Sequence, residues 1–215
     1  MSDLITAAEW GHIETVRALI KAGADLEAKC IHGATALMLA TRHVEVARLL
    51  LDAGADINAK NNCGETALNW AADWGFEKVM CVLLDAGADI NSKNNCGETA
   101  LISAAYCGHE KVVRFLLDAG ADIDAKDDDN RTALMGAIHN GHGKVAKLLL
   151  TEGAEFISKD EAGMTAMESA KRAGLSEVVA MIHARQAHEV IKVAMEAARS
   201  SRTHGKYGGF KRATL

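Results

Sequence analysis

The chain has 215 residues, a formal net charge of −5, no proline and 19 glycines. No run approaches the 18 or so apolar residues that a membrane span needs, and the absence of proline excludes proline-rich linkers and PxxP ligands. The charge is uneven: five basic and no acidic residues fall within 199–215, leaving 19 basic against 29 acidic residues, a net of −10, over 1–196. An acidic body argues against nucleic-acid binding through the main surface. The opening Met1-Ser2-Asp3-Leu4 has no basic segment ahead of an apolar stretch, so no signal peptide is read there. Five cysteines, an odd number, are expected as reduced thiols in a cytoplasmic or nuclear setting. Effector-type export that reads no N-terminal signal remains an alternative.

In chain order, the same phrases return. Thr-Ala-Leu occurs at 35, 66, 99 and 132, and Thr165-Ala166-Met167 continues the series. Gly-Ala pairs fall at 23, 54, 87, 120 and 153. Lys-Asn-Asn-Cys-Gly-Glu-Thr-Ala-Leu is found at 60–68 and, 33 residues on, at 93–101. Each unit predicts a short helix capped by Thr, a Gly-His or equivalent turn, and a second helix with a Val/Leu stripe such as Val112, Val113, Leu116 and Leu117. A left-handed Gly then stops the second helix, and an extended arm leads to the next unit. A single unit cannot cover its own apolar face, so the units must stack. One interval is short: Thr35 to Thr66 is 31 residues where the next three are 33. The two missing residues fall between Ala40 and His43, about half a helical turn, and predict a local distortion.

This pattern resembles the ankyrin repeat, whose 33-residue period and Thr-Pro-Leu-His-x-Ala phrase appear as Thr66-Ala67-Leu68-Asn69-Trp70-Ala71. Ala replaces Pro in every unit. The resemblance implies an all-α solenoid of helix-turn-helix units with short β-hairpin or loop arms, about six in number. The predicted domain covers 1–186, as units 1–29, 30–60, 61–93, 94–126, 127–159 and 160–186. From Ser176 to Arg199 there is neither Gly nor Pro. Either the final helix continues past the last unit or a short extra helix, about 187–198, packs on the end. Residues 199–215 read as a basic flexible tail. The resemblance also implies that His12, His109 and His142 brace their turns. It makes Asn58 and Asn91 the positions that match the site of asparaginyl hydroxylation in animal members.

No catalytic or metal constellation stands out. Gly141-His142-Gly143-Lys144 lacks the spacing of a phosphate loop and follows no strand. Asp127-Asp128-Asp129-Asn130 lacks the sixth-position Gly and distal Glu of a calcium loop, and reads as a solvated acidic tip. Cys63 and Cys96 are equivalent positions about a helix diameter apart, too far for a disulfide or a shared zinc. No cofactor, metal or small-molecule substrate is therefore expected.

Binding is expected at positions the fold does not need. The two residues after each Ala-Ala, just before the turn, face the concave side in the family. These positions hold Glu9-Trp10, Thr41-Arg42, Asp73-Trp74, Tyr106-Cys107, His139-Asn140 and Arg172-Ala173. Aromatic and arginine side chains dominate interface hot spots, so Trp10, Arg42, Asp73, Trp74, Tyr106 and His139 are the candidates. The arm tips add Cys63, Cys96, Asp128, Asp129 and Arg131, beside a ladder of Lys60, Lys93 and Lys126. Trp70, where the family commonly has Leu, is expected to be half core. The expected function is a non-enzymatic protein-binding module, an adaptor, scaffold or inhibitor. Its partner would be another protein, presenting a basic or amphipathic segment. The alternatives are a secreted microbial effector acting on a host protein, or capture of nucleic acid or acidic partners by the basic tail.

Overall fold

The computed structural model describes residues 3–204. It holds six helix pairs in register. They are α1 (Asp3–Glu9) with α2 (Ile13–Lys21), α3 (Ala36–Leu39) with α4 (Val44–Asp52), and α5 (Ala67–Asp73) with α6 (Glu77–Asp85). α7 (Ala100–Cys107) then pairs with α8 (Glu110–Asp118), α9 (Ala133–His139) with α10 (Gly143–Thr151), and α11 (Ala166–Arg172) with α12 (Ser176–His204). The first helices, α1 through α11, contact one another in sequence as one row, and the second helices form another row behind them. Among the described residues there is no sheet, only two isolated antiparallel bridges in the arms, Lys126 with Thr132 and Lys159 with Thr165.

The core is the Ala/Leu/Val stripe repeated through the stack. Leu50, Leu83 and Leu116 of the second helices, Ala71, Ala104 and Ala137 of the first, and Ala40 just after α3 are fully buried. Alanine there lets the first helices approach closely, and leucine fills the space behind them. Thr66, Thr99, Thr132 and Thr165 each accept the N–H three residues on, as expected of N-caps. Thr66 and Asn69 form a full capping box. Thr35 departs from the series: its hydroxyl is buried and has no partner.

The units are also stitched to their neighbours by polar contacts. Lys29, Lys60 and Lys93 reach forward to the main-chain carbonyls of Lys60, Lys93 and Lys126 at 2.8, 2.7 and 2.7 Å. Asn58 and Asn91, the positions matched to hydroxylation, each accept a main-chain N–H of the next unit, from Asp89 at 3.0 Å and Asp122 at 2.9 Å. In the turns, the imidazoles of His43 and His109 donate back to the carbonyls of Glu9 at 3.1 Å and Asp73 at 2.8 Å. A side chain added at Gly108 would sit 2.5 Å from Nδ1 of the His142 ring. That crowding, with a φ of +77°, explains glycine at this turn.

The short interval at unit two has a definite form. α3 lasts four residues and ends in a 3-10 turn over Ala40–Arg42 with no glycine. The Thr41 hydroxyl donates to the Met38 carbonyl at 3.0 Å. His43 still starts α4 and still reaches unit one, so the register of the stack survives.

At the other end, α12 runs unbroken for 29 residues, so the final helix continues past the last unit. The Arg185 guanidinium docks on the carbonyls of Leu150 and Ala154 at 2.8 and 3.1 Å and lies over the Phe156 ring at 5.0 Å. Beyond it, Val190, Ile191, Val193 and Met195 stand exposed. Residues 199–204, placed in the tail by composition, are part of this helix. The remaining tail residues, 205–215, lie outside the described residues.

Candidate functional site

The first helices end on one face of the stack, and the arms border the same face. Three clefts follow one another there. The first is lined by Glu9, Leu39, Arg42, Trp70, Trp74 and Phe76. The second is formed by Asp73, Trp74, Glu98, Ser103, Tyr106 and Cys107. The third includes Glu98, Tyr106, Arg131, Met135, His139 and Asp160. Trp74 separates the first from the second, and Tyr106 with Glu98 separates the second from the third.

The sequence-derived candidates therefore divide. Arg42, Asp73, Trp74, Tyr106, His139 and Arg131 come together along this series of clefts. Trp10, 66% exposed just after α1, stands outside all three. Cys63, Cys96, Asp128 and Asp129 are exposed at the arm tips and line none of them. Their backbones hold the arms together instead. The Asp128 N–H donates to the Cys96 carbonyl at 3.0 Å, and the Asn95 N–H to the Cys63 carbonyl at 2.9 Å. A side chain at Gly97 would collide with Asp128, and one at Gly64 with Asn95.

Asp127, read as part of an acidic tip, is buried. Its carboxylate accepts the N–H groups of Asp129 and Arg131 at 3.0 and 2.7 Å, and pairs with Arg131 Nε at 2.9 Å. Arg131 also pairs with Asp129 at 2.8 Å. Asn61 and Asn94 play the same turn-closing part in their units.

The middle cleft is electrostatically distinct. Burial pushes the Asp73 carboxyl up to about 6; the Ser103 hydroxyl bond opposes this, and the charges of Glu65 and Glu98 add to it. Burial, with the charges of Asp73 and Glu98, also pushes the Cys107 thiol up, which keeps it protonated and unreactive. Glu65 accepts the indole N–H of Trp70 at 2.8 Å and the amide of Asn61 at 2.7 Å, so Trp70 is half buried and fixed in place. In the first cleft the Arg42 guanidinium lies 5.9 Å from the Phe76 ring centroid. Phe76, Ser103 and Leu39 escaped the sequence search. For Phe76 there was a signal, since it takes the turn position that is His in units one, two, four and five.

A family model described as ankyrin repeats, in three copies, matches residues 2–61, 58–127, 87–160 and 124–193. The chain belongs to the ankyrin repeat family. Ankyrin repeats generally mediate protein–protein interaction, and this ankyrin stack exposes Trp74 and Tyr106 on the face described above. No curated protein matches the chain significantly. All five cysteines are free thiols. Among the described residues, no group of three or more His, Cys, Asp or Glu side chains is placed to hold a metal ion, and no helix is long and apolar enough to cross a membrane.

Proposed function

We propose that this ankyrin stack is a binding module rather than a catalyst, and that it docks a segment of another protein across the ends of its first helices. The observation that carries this is the exposure of Trp74 and Tyr106, 67% and 49%, at the ends of helices whose alanines are buried in the core. Large aromatics left in water at a fixed, rigid position are what interface hot spots use. Asp73, Glu65 and Glu98 make the middle of that face negative, which suits a basic or amphipathic segment. An adaptor, scaffold or inhibitor role follows from the same surface. Free thiols throughout suit a reducing compartment such as the cytoplasm.

The test is affinity capture from source-cell lysate with three proteins: the native chain, the variant Trp10→Ala/Trp74→Ala/Tyr106→Ala, and a chain ending at Ala198. The expected result is a protein retained by the native and shortened chains and lost by the triple variant. Loss only on shortening would move binding to the C-terminal end and overturn the groove.

A further inference from the structure

We infer that the two clefts flanking Trp74 form a paired recognition site for one extended protein segment. The cleft on the unit-two side takes an apolar side chain. The cleft on the unit-four side takes a lysine or arginine about three residues away. The inference rests on the groove proposed above and names what the groove selects.

The apolar cleft is a product of the two-residue deletion. α5 completes seven residues and leads through Trp74 to the Gly75 turn. α3 ends at Leu39, and its 3-10 turn reaches Arg42 with no glycine turn beyond it. The wall at unit two therefore stops short and leaves Trp70, Trp74 and Phe76 open on that side, with Leu39 between them and Glu9 at the rim. The cleft already holds a cation, Arg42, over the Phe76 ring. With Arg42 and Glu9 both present, an added charge of either sign meets one like charge and must also be desolvated against the rings. An aliphatic or aromatic side chain meets neither penalty and covers ring surface.

The adjoining cleft has the opposite character. Asp73 and Glu98 line it, with Glu65 close enough to act on Asp73. Among the described residues no ion pair joins any of these three carboxylates. The arm of the next unit makes the contrast. There, the position of Glu65 and Glu98 is Arg131, which Asp127 and Asp129 hold. Units three and four thus present carboxylates where unit five carries a cation; of the three, that cation, Arg131, acts on Glu98 without forming an ion pair. Trp74 and Tyr106 wall the cleft, suited to the stem of a lysine or the plane of a guanidinium. Neighbouring helices pack about 8–10 Å apart, and an extended chain advances about 3.3 Å per residue. Two anchors about three residues apart therefore reach both clefts.

The probe is a phage-displayed random peptide library selected on the immobilised full chain. Recovered peptides are then titrated by calorimetry against variants whose helicity matches the native chain. The expected peptides share an apolar residue and a Lys or Arg about three positions apart. Trp74→Ala should weaken them at least tenfold. Asp73→Asn/Glu98→Gln should weaken them about tenfold, and do nothing to peptides whose basic residue is replaced by Ala. Reinserting Ala-Gly between Thr41 and Arg42 should remove the preference for the apolar residue alone. If that insertion disturbs folding, Phe76→His, the residue of four other units, serves the same purpose. Recovery of no peptide overturns the paired site. So do peptides that Trp74→Ala abolishes but that lack either anchor, although these leave the groove standing. Peptides indifferent to Trp74→Ala overturn both.

Discussion

Units two and three differ by two residues, and the stack absorbs the difference on one side only. Unit three has a seven-residue first helix, a capping box and a glycine turn. Unit two has four residues, a 3-10 turn, and a capping threonine whose hydroxyl is buried without a partner. Yet Leu50 and Leu83 are equally buried, and His43 of unit two still bonds unit one, a bond that unit three, with Phe76 at that position, does not make. The lesson is that the second helices and the arms keep the stack in register where a first helix is cut short. The C-terminal end of the first helix in unit two changes length without unburying Leu50 or breaking the His43 bond. That is where the surface meant for a partner lies, so a deletion there alters recognition and spares the fold.

The sharpest way to break this comparison is to cut the core equally on both sides. Leu50→Ala and Leu83→Ala remove fully buried side chains and should each cost about 2–5 kcal/mol, with no systematic difference between them in urea denaturation. A clearly smaller cost at Leu50 would mean that the deletion loosens the core as well. The caps come next. Thr66→Ala should cost about 1 kcal/mol. Thr35→Ala should be neutral or stabilising, because it removes a buried hydroxyl that has no partner.

Asp73 gives a pH test. Its folded pKa, about 6, lies above the ordinary value of 3.8, so the folded chain holds this proton more tightly than the unfolded one. Stability from this group falls as pH rises from about 4 to about 6, and is level above. Asp73→Asn should therefore stabilise the chain at pH 7, on the order of 1 kcal/mol after solvent screening, and leave it unchanged near pH 4. The groups facing Asp73 are Ser103, Glu65, Glu98 and His109. The smallest effect is expected at Trp74→Ala, within about 0.5 kcal/mol in thermal or urea unfolding. A large loss there would make Trp74 a packing residue rather than a contact for a partner.

Much of the fold was legible because repetition labels equivalent residues. The Thr caps, the Gly-Ala stops and the place of the deletion all came from intervals between identical phrases. The structure adds what a period cannot express, namely which equivalent side chain reaches the next unit. Lys60 and Lys93 grip carbonyls one unit on, Asn58 and Asn91 accept main-chain N–H groups of the next unit, and Asp128 sits against Gly97. His43 was hidden because the deletion removes the glycine that marks the other turns. In the candidate site, Trp74, Asp73 and Tyr106 were legible as departures from small residues at a fixed position. The cleft beside Arg42 was not, since it depends on a 3-10 turn ending two residues early and on Phe76 replacing a histidine.

The most direct measurement is amide hydrogen exchange on the full chain, free and bound to a peptide selected as above. Added protection is predicted at the ends of α5 and α7, about residues 70–75 and 103–108, and in the arms at 63–65 and 96–98, with none on the second-helix row. Protection confined to α6 and α8, or to α12 beyond Arg185, would contradict the account.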